Sequence, residues 1–238
     1  PDMIRQAMDE RTRAILINSP ANPTGTLLSP ERMQAIADIA DQEGGPFIVS
    51  DEIYHGLVYE GKAHSIREFT NKSFVFNGFS KLFAMTGFRL GYVIAPPEFI
   101  RPMQKVCQNF FISANTMAQW AGVAALTEAA DDVERMKRIY NERRVFLLRR
   151  LRELGFSIAN DPTGAFYVLV DCKHLAVKFG GSSLALAFDI LERAHVGVTP
   201  GIDFGPGAEG YLRFSYANSI ENISEGMDRI GRYLEQYG

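Results

Sequence analysis

A lysine just past a strand end, in apolar company, is where an amine can lose its water shell and act as a nucleophile. Lys81 stands in that position: the apolar run Ser73 to Phe76 leads into a small turn, Asn77-Gly78-Phe79-Ser80, and the lysine follows. Eight residues later comes Arg89, with Gly87 and Gly91 on either side. Three other places carry groups able to act with an amine: Asn22, Asp51 with Tyr54, and Arg213. Taken singly, each has an ordinary reading. A lone lysine is a solvated loop residue, Asp51 a cap of the next turn, Arg89 the partner of a surface acid, and Arg213 a side chain pointing off an edge strand. Taken together they are a nucleophilic amine, a carboxylate, a phenol, an amide and two guanidinium groups, and strongly functional groups that cluster in one cleft are seldom incidental.

The surrounding elements explain how such residues could meet. Arg13 to Asn18 is a short apolar strand, stopped by Ser19-Pro20-Ala21-Asn22-Pro23-Thr24-Gly25, whose two prolines and glycine predict a fixed turn. Ser29-Pro30-Glu31 reads as a helix start, and Met33, Ile36, Ala37 and Ala40 share one face of a helix reaching about Glu43. Gly44-Gly45-Pro46 stops it. Phe47 to Ser50 is a nearly all-apolar strand with Asp51-Glu52-Ile53-Tyr54 at its end. Strand, helix, strand with short apolar strands is the pattern of a parallel sheet covered by helices. After the lysine turn, Leu90 to Ala95 reads as another strand, followed by helices over Glu98 to Gln108 and Thr116 to Thr127. A long amphipathic helix spans Asp131 to Leu154, with Val133, Met136, Ile139, Tyr140, Val145, Phe146 and Leu148 as its expected buried positions. Phe156 to Ile158 and Ala165 to Asp171, flanking Asp161-Pro162-Thr163-Gly164, suggest a hairpin. A helix (Ser182 to Ala194), a strand (Val196 to Thr199), a Gly/Pro-rich loop (Pro200 to Gly210), a strand (Tyr211 to Tyr216) and a closing helix (Ile220 to Tyr237) complete the chain. The fold class expected is α/β, a mostly parallel sheet with covering helices, plus a smaller C-terminal α+β domain. The expected division is a large domain over residues 1–130, a linking helix over 131–155 and a small domain over 156–238.

The 238 residues are 46 % hydrophobic and 22 % charged, ordinary for a globular protein with a substantial core. A formal net charge of -3 argues against a nucleic-acid partner, which calls for a basic face. Cys107 and Cys172 have no ligand-like spacing and read as buried or half-buried thiols in a reducing compartment, so no metal site is expected. No apolar run approaches membrane-spanning length and no signal pattern opens the chain, which makes the cytoplasm the expected location. The four histidines, and Phe79, Phe88 and Met85 beside the key residues, read as structural, the two phenylalanines packing the lysine turn.

In an open α/β sheet, ligands bind at the C-terminal edge of the strands, and all four functional places lie at strand ends or in the turns after them. Their chemistry is what pyridoxal phosphate requires: a lysine for the Schiff base, an acid to keep the pyridine nitrogen protonated, donors for the ring oxygen, and an arginine for the phosphate. Four stretches, S-P-A-N-P-T-G (Ser19 to Gly25), S-D-E-I-Y (Ser50 to Tyr54), S-K-L-F-A-M-T-G-F-R-L-G-Y (Ser80 to Tyr92) and Y-L-R-F-S (Tyr211 to Ser215), are similar in order and spacing to signatures of the fold-type I pyridoxal-phosphate enzymes. Specifically, the chain resembles the class I/II aminotransferases related to aspartate and aromatic aminotransferases. The resemblance implies Lys81 as the catalytic lysine that binds the cofactor and shuttles the α-proton. It implies Asp51 at the pyridine nitrogen, Tyr54 and Asn22 at the 3′-oxygen, and Ser80 and Arg89 at the phosphate. Arg213, with Asn22, would hold the substrate's α-carboxylate.

The implied function is transfer of an amino group between an L-amino acid and a 2-oxo acid, in a cytoplasmic homodimer. Two other readings stay open on the residues: a β-eliminating lyase on the same scaffold, and a non-catalytic effector-binding domain of a transcription regulator. The chain departs from the family's pattern in two ways. Gly78 stands where some relatives carry a hydroxyl residue three before the lysine. The family's N-terminal half, with its phosphate turn and ring-stacking aromatic, is not recognisable here, so the segment is expected to be the C-terminal portion of a longer protein and inactive alone.

Overall fold

The computed structural model describes all 238 residues, and the chain divides into two compact units. The first comprises Pro1–Pro20 and Leu27–Arg135, the second Ala21–Thr26 and Met136–Gly238.

In the first unit, α1 (Asp2–Ala7) precedes β1 (Ala14–Asn18), α2 (Pro30–Ala40), β2 (Phe47–Asp51), β3 (Ser73–Gly78), β4 (Gly91–Ile94), α3 (Pro97–Phe110) and α4 (Thr116–Glu128). The strands form one sheet in the order β1-β2-β3-β4; the first three are parallel and β4 returns antiparallel. The helix start at Ser29 is as its residues predict: the Ser29 hydroxyl accepts the Arg32 N–H and Pro30 occupies the first turn. One face of the sheet contributes Ile15, Ile17, Ile48 and Val75 to a core closed by Met33, Ile36, Ile39 and Ala40 of α2 and by Ile66. Each such side chain, fully buried, contributes about 1.5–3 kcal/mol. The opposite face bears Leu16 and Phe76, both exposed. Cys107 on α3 is also exposed, contrary to its expected burial, because no α3 residue is buried in this chain.

Helix α5 (Ala130–Glu153) runs from the first unit into the second. Its buried residues are Arg144, Leu147, Leu148 and Leu151, a three-four spacing. Ile139 and Val145, expected inside, are exposed. They stand one position off that stripe, and Arg144 takes the interior place by carrying its polar head to hydrogen-bond partners.

The second unit continues through β5 (Tyr167–Asp171), α6 (Lys173–Ala176), α7 (Ser183–Ala194), β6 (Thr199–Pro200), β7 (Tyr211–Ser215) and α8 (Ile220–Tyr237). Its antiparallel sheet has the order β5-β7-β6. The hairpin expected before β5 is reduced to a single bridge, Ser157 with Asp171, since Phe156 turns into the core and the chain then bends away. The strand expected at Val196 to Thr199 pairs only at Thr199–Pro200. Val168, Val170, Leu186, Ile190, Leu212, Ile223, Met227 and Ile230 are buried. Ser182 and Ser219 cap α7 and α8 by accepting the N–H groups of Ala185 and Asn222. No single helix is long and apolar enough to cross a membrane.

Candidate functional site

The parallel pairing of β2 and β3 sets Asp51 opposite Phe76, so β3 runs on past the acid before its own turn begins. Asp51 is half-buried. Its Oδ1 accepts the Ile53 N–H at 3.1 Å, and its carbonyl accepts Asn18 Nδ2 at 2.8 Å and the Ser19 N–H at 3.3 Å. Tyr54 is buried in the turn that follows. The Lys81 ammonium lies 5.9 Å from the centre of the Tyr54 ring, within the reach of a cation–π contact.

The loop carrying Lys81 is closed on itself. Phe79 N–H reaches the Leu90 carbonyl, Met85 N–H the Phe79 carbonyl and Ala84 N–H the Lys81 carbonyl, at 3.1–3.2 Å. Phe79 and Met85 pack with Ala125 of α4, where a Cβ at Gly122 would press on the Phe79 ring and Leu90. Phe88 does not help pack this turn; it is 48 % exposed, because the turn from Thr86 to Phe88 directs it outward. Gly78 has a steric reason to lack a side chain: a Cβ there would meet the Leu90 carbonyl at 3.0 Å and Gly91 Cα at 3.1 Å, where β4 crosses closely.

Ser80 and Arg89 are tied through one residue. Thr86 Oγ1 donates to the Ser80 carbonyl at 2.9 Å, and Arg89 Nη1 donates to the Thr86 carbonyl at 3.0 Å. Arg89 takes a left-handed conformation (φ 54) and is exposed, with no acid within ion-pair distance. Asp51, Tyr54, Ser80, Lys81 and Arg89 thus form one group in the first unit.

Asn22 and Arg213 form the other group, within the second unit. Arg213 lies on β7, the central strand, so the edge-strand reading fails. Its Nη1 donates to Asn22 Oδ1 at 2.7 Å and its Nη2 to Thr199 Oγ1 at 3.0 Å. The guanidinium carbon sits 4.1 Å from the Tyr167 ring centre and 4.9 Å from that of Phe204. Arg213 Nε is buried with no hydrogen-bond partner, and no carboxylate pairs with this cation. The Asn22 turn is fastened in its own right. Gly25 has φ 68, and its carbonyl accepts Thr163 N–H at 2.9 Å and Gly164 N–H at 2.8 Å. Arg144 Nη1 holds the Pro162 carbonyl at 2.7 Å. Thr199, Tyr167, Phe204 and Arg144 are supports that residue types alone did not single out.

A model of the aminotransferase class I and II family matches residues 2–230. The chain is 41 % identical to the (5-formylfuran-3-yl)methyl phosphate transaminase of Methanocaldococcus jannaschii, covering 99 % of this chain and 61 % of that protein. It is 40 % identical to the aspartate/prephenate aminotransferase of Thermus thermophilus, covering 98 % of this chain and 60 % of that protein. Among solved structures, an aromatic aminotransferase from Pyrococcus horikoshii superposes with a TM-score of 0.92 at 36 % identity, over 99 % of this chain and 63 % of that one. The chain therefore spans about 60 % of the length of the curated relatives it matches. Its mixed sheet with flanking helices is the fold-type I architecture of those neighbours. With the family model over nearly its whole length, the chain belongs to the class I and II aminotransferases.

Proposed function

We propose that the whole protein moves an amino group between an L-amino acid and a 2-oxo acid with pyridoxal phosphate, on which its family generally depends. The observation that carries this is the placement of Lys81 just past β3 and of Asp51 at the end of the adjacent parallel strand β2. The donor set fits the group: an amine, a carboxylate, a phenol, a hydroxyl and a guanidinium come from the ends of neighbouring strands. When bound, pyridoxal phosphate supplies a protonated pyridine ring that draws electrons from the substrate's α-carbon.

Asp51, oriented by the N–H it takes from Ile53, would hold the proton on the ring nitrogen. Tyr54 and Asn22 would donate to the 3′-oxygen. Ser80 and Arg89, linked through Thr86, would hold the phosphate. Lys81 would anchor the cofactor by its amine and carry the proton taken from the substrate's α-carbon. Arg213 binds the substrate's α-carboxylate, helped by Asn22; its fork has two bonds made already and N–H groups to spare. The relatives' own names, all aminotransferases or transaminases, favour amino transfer over the lyase and regulator readings. A homodimer in the cytoplasm completes the proposal, and residues 1–130, 131–155 and 156–238 are its large domain, linking helix and small domain.

The test is borohydride reduction of the full-length holoprotein followed by peptide mapping. The pyridoxyl group is expected on the peptide containing Lys81 and absent from Lys81→Ala, and an oxo acid should form in step with the new amino acid. A label on any other lysine, or pyruvate released with ammonia in place of paired products, would overturn the proposal.

A further inference from the structure

Behind the acid that ends β2 stands a second carboxylate with no part in the chemistry described so far. Glu52 is 2 % exposed. Side chains alternate along a strand, so Glu52 turns with Ser50 toward the α2 side of the sheet while Asp51 turns to the other. Three donors converge on its Oε1: the Ser50 hydroxyl at 3.0 Å, the Ser65 hydroxyl at 3.1 Å and the Ile66 N–H at 3.0 Å. Oε2 lies 3.8 Å from His55 Nδ1, a buried atom with no hydrogen-bond partner. The backbone of Glu52 is held too. Its N–H reaches the Phe76 carbonyl of β3 at 2.9 Å, and its carbonyl accepts the His55 N–H at 2.8 Å.

A buried carboxylate is costly unless fully satisfied. Its place in the chain suggests what that cost secures. Ser65 caps the short 3-10 turn Ile66–Glu68, and the Glu68 side chain accepts the Ser65 N–H in return. That turn lies in the later part of the excursion from β2 to β3. Glu52 therefore fastens one strand end to the next strand through its backbone and to the excursion through its side chain. The two residues beside this clamp that face the chemistry are Asp51 and Tyr54.

We propose that Glu52 is a positioning residue for Asp51 and Tyr54. Its carboxylate pins the chain on the far side of the sheet, so the acid and the phenol keep their stations near Lys81. The proposal rests on the assignment of Asp51 to the cofactor's ring nitrogen. Without the peg, the Asp51–Tyr54 turn gains slack and the ring nitrogen holds its proton less well. A less positive ring makes the lysine-bound nitrogen more basic.

The experiment compares Glu52→Ala, Glu52→Gln and Asp51→Asn in the full-length holoprotein. It reads the pH midpoint of the visible absorbance of Lys81-bound cofactor, kcat and KM, and the thermal melt. Glu52→Ala is expected to raise the midpoint by about half a pH unit or more and lower kcat about tenfold, with KM within about threefold. Glu52→Gln keeps an oxygen for the same three donors and is expected to restore both. A lower melt with unchanged midpoint and kcat in Glu52→Ala would overturn the proposal, as would Glu52→Gln impaired like Glu52→Ala. Should Glu52→Ala not fold, the Ser50→Ala/Ser65→Ala double variant strips two donors from an intact carboxylate. An upward midpoint is expected there, and an unchanged one overturns the proposal. Asp51→Asn separates the two levels. If it is normal, the assignment of Asp51 itself is wrong; if it is impaired while Glu52→Ala is normal, only the positioning role falls.

Discussion

Arg213 and Arg89 are both guanidinium groups without an acid partner, yet they are held in different ways. Arg213 is clamped by Asn22 and Thr199 and layered against Tyr167 and Phe204, a rigid fork of the kind that recognises a carboxylate. Arg89 is anchored by one bond to Thr86 within the lysine loop. Arg213→Ala is expected to raise KM for amino and oxo acids about 10- to 100-fold, the worth of charge-assisted hydrogen bonds of about 1.5–3 kcal/mol, with cofactor affinity unchanged. Arg89→Ala should instead weaken cofactor retention. Steady-state kinetics beside cofactor titration decide this; equal loss of cofactor affinity in both variants would contradict the division of labour. At this scale the sequence singled out residues inside recognisable motifs, Asn22 and Lys81 in turns, Asp51 at the end of β2 and Arg213 within β7. The supports were not legible. Thr199 and Phe204 meet Arg213 only because β6 and the loop after it fold back on β7, and nothing in their own neighbourhood announces that contact. Glu52 sits inside a quoted stretch, but its burial depends on Ser65 and Ile66, more than a turn's length away.

Among elements, capped helices and apolar strands were readable because their signals are local. The Ser-Pro start of α2 and the three parallel strands follow from neighbouring residues. Helix faces were less so. On α5, Ile139 and Val145 differ from the buried stripe by one position, and hydrogen bonds to the Pro162 carbonyl and Asn141 Oδ1 explain why Arg144 lies inside. The turn after β1 belongs to this scale too. A side chain at Gly25 would meet the Tyr167 carbonyl at 2.7 Å and the Gly164 carbonyl at 2.9 Å, besides Pro162. The left-handed conformation there adds about 1–2 kcal/mol for any other residue. Gly25→Ala is therefore expected to destabilise by about 2 kcal/mol or more, lowering the melting temperature by several degrees, and to raise KM through the displaced Asn22. A melt and KM equal to wild type would show that the turn relaxes without cost.

For the molecule as a whole, the change of texture after the long helix suggested a large domain over residues 1–130 and a small one over 156–238. Missing from that reading was the membership of Ala21–Thr26 in the second unit, since chain order says nothing of a short segment that crosses over. The two thiols also separate at this scale. Burial pushes the Cys172 thiol up to about 12, whereas Cys107 is exposed. At pH 8 a thiol reagent is expected to leave Cys172 untouched until denaturant opens the second unit. Peptide mapping that finds Cys172 modified in folded protein would contradict its placement. The crossing segment has a consequence in time. Asn22 and Arg213 are separated by 191 residues, so a ribosome releases the amide roughly 10 to 40 seconds before its partner exists, at ordinary rates of synthesis. Until Thr163 and Gly164 are made the Asn22 turn lacks their donors as well, and after that it still waits for Arg213. Strands and helices of the first unit can settle as they emerge, but the hydrogen bond between Asn22 and Arg213 must wait for the far end of the message to be translated.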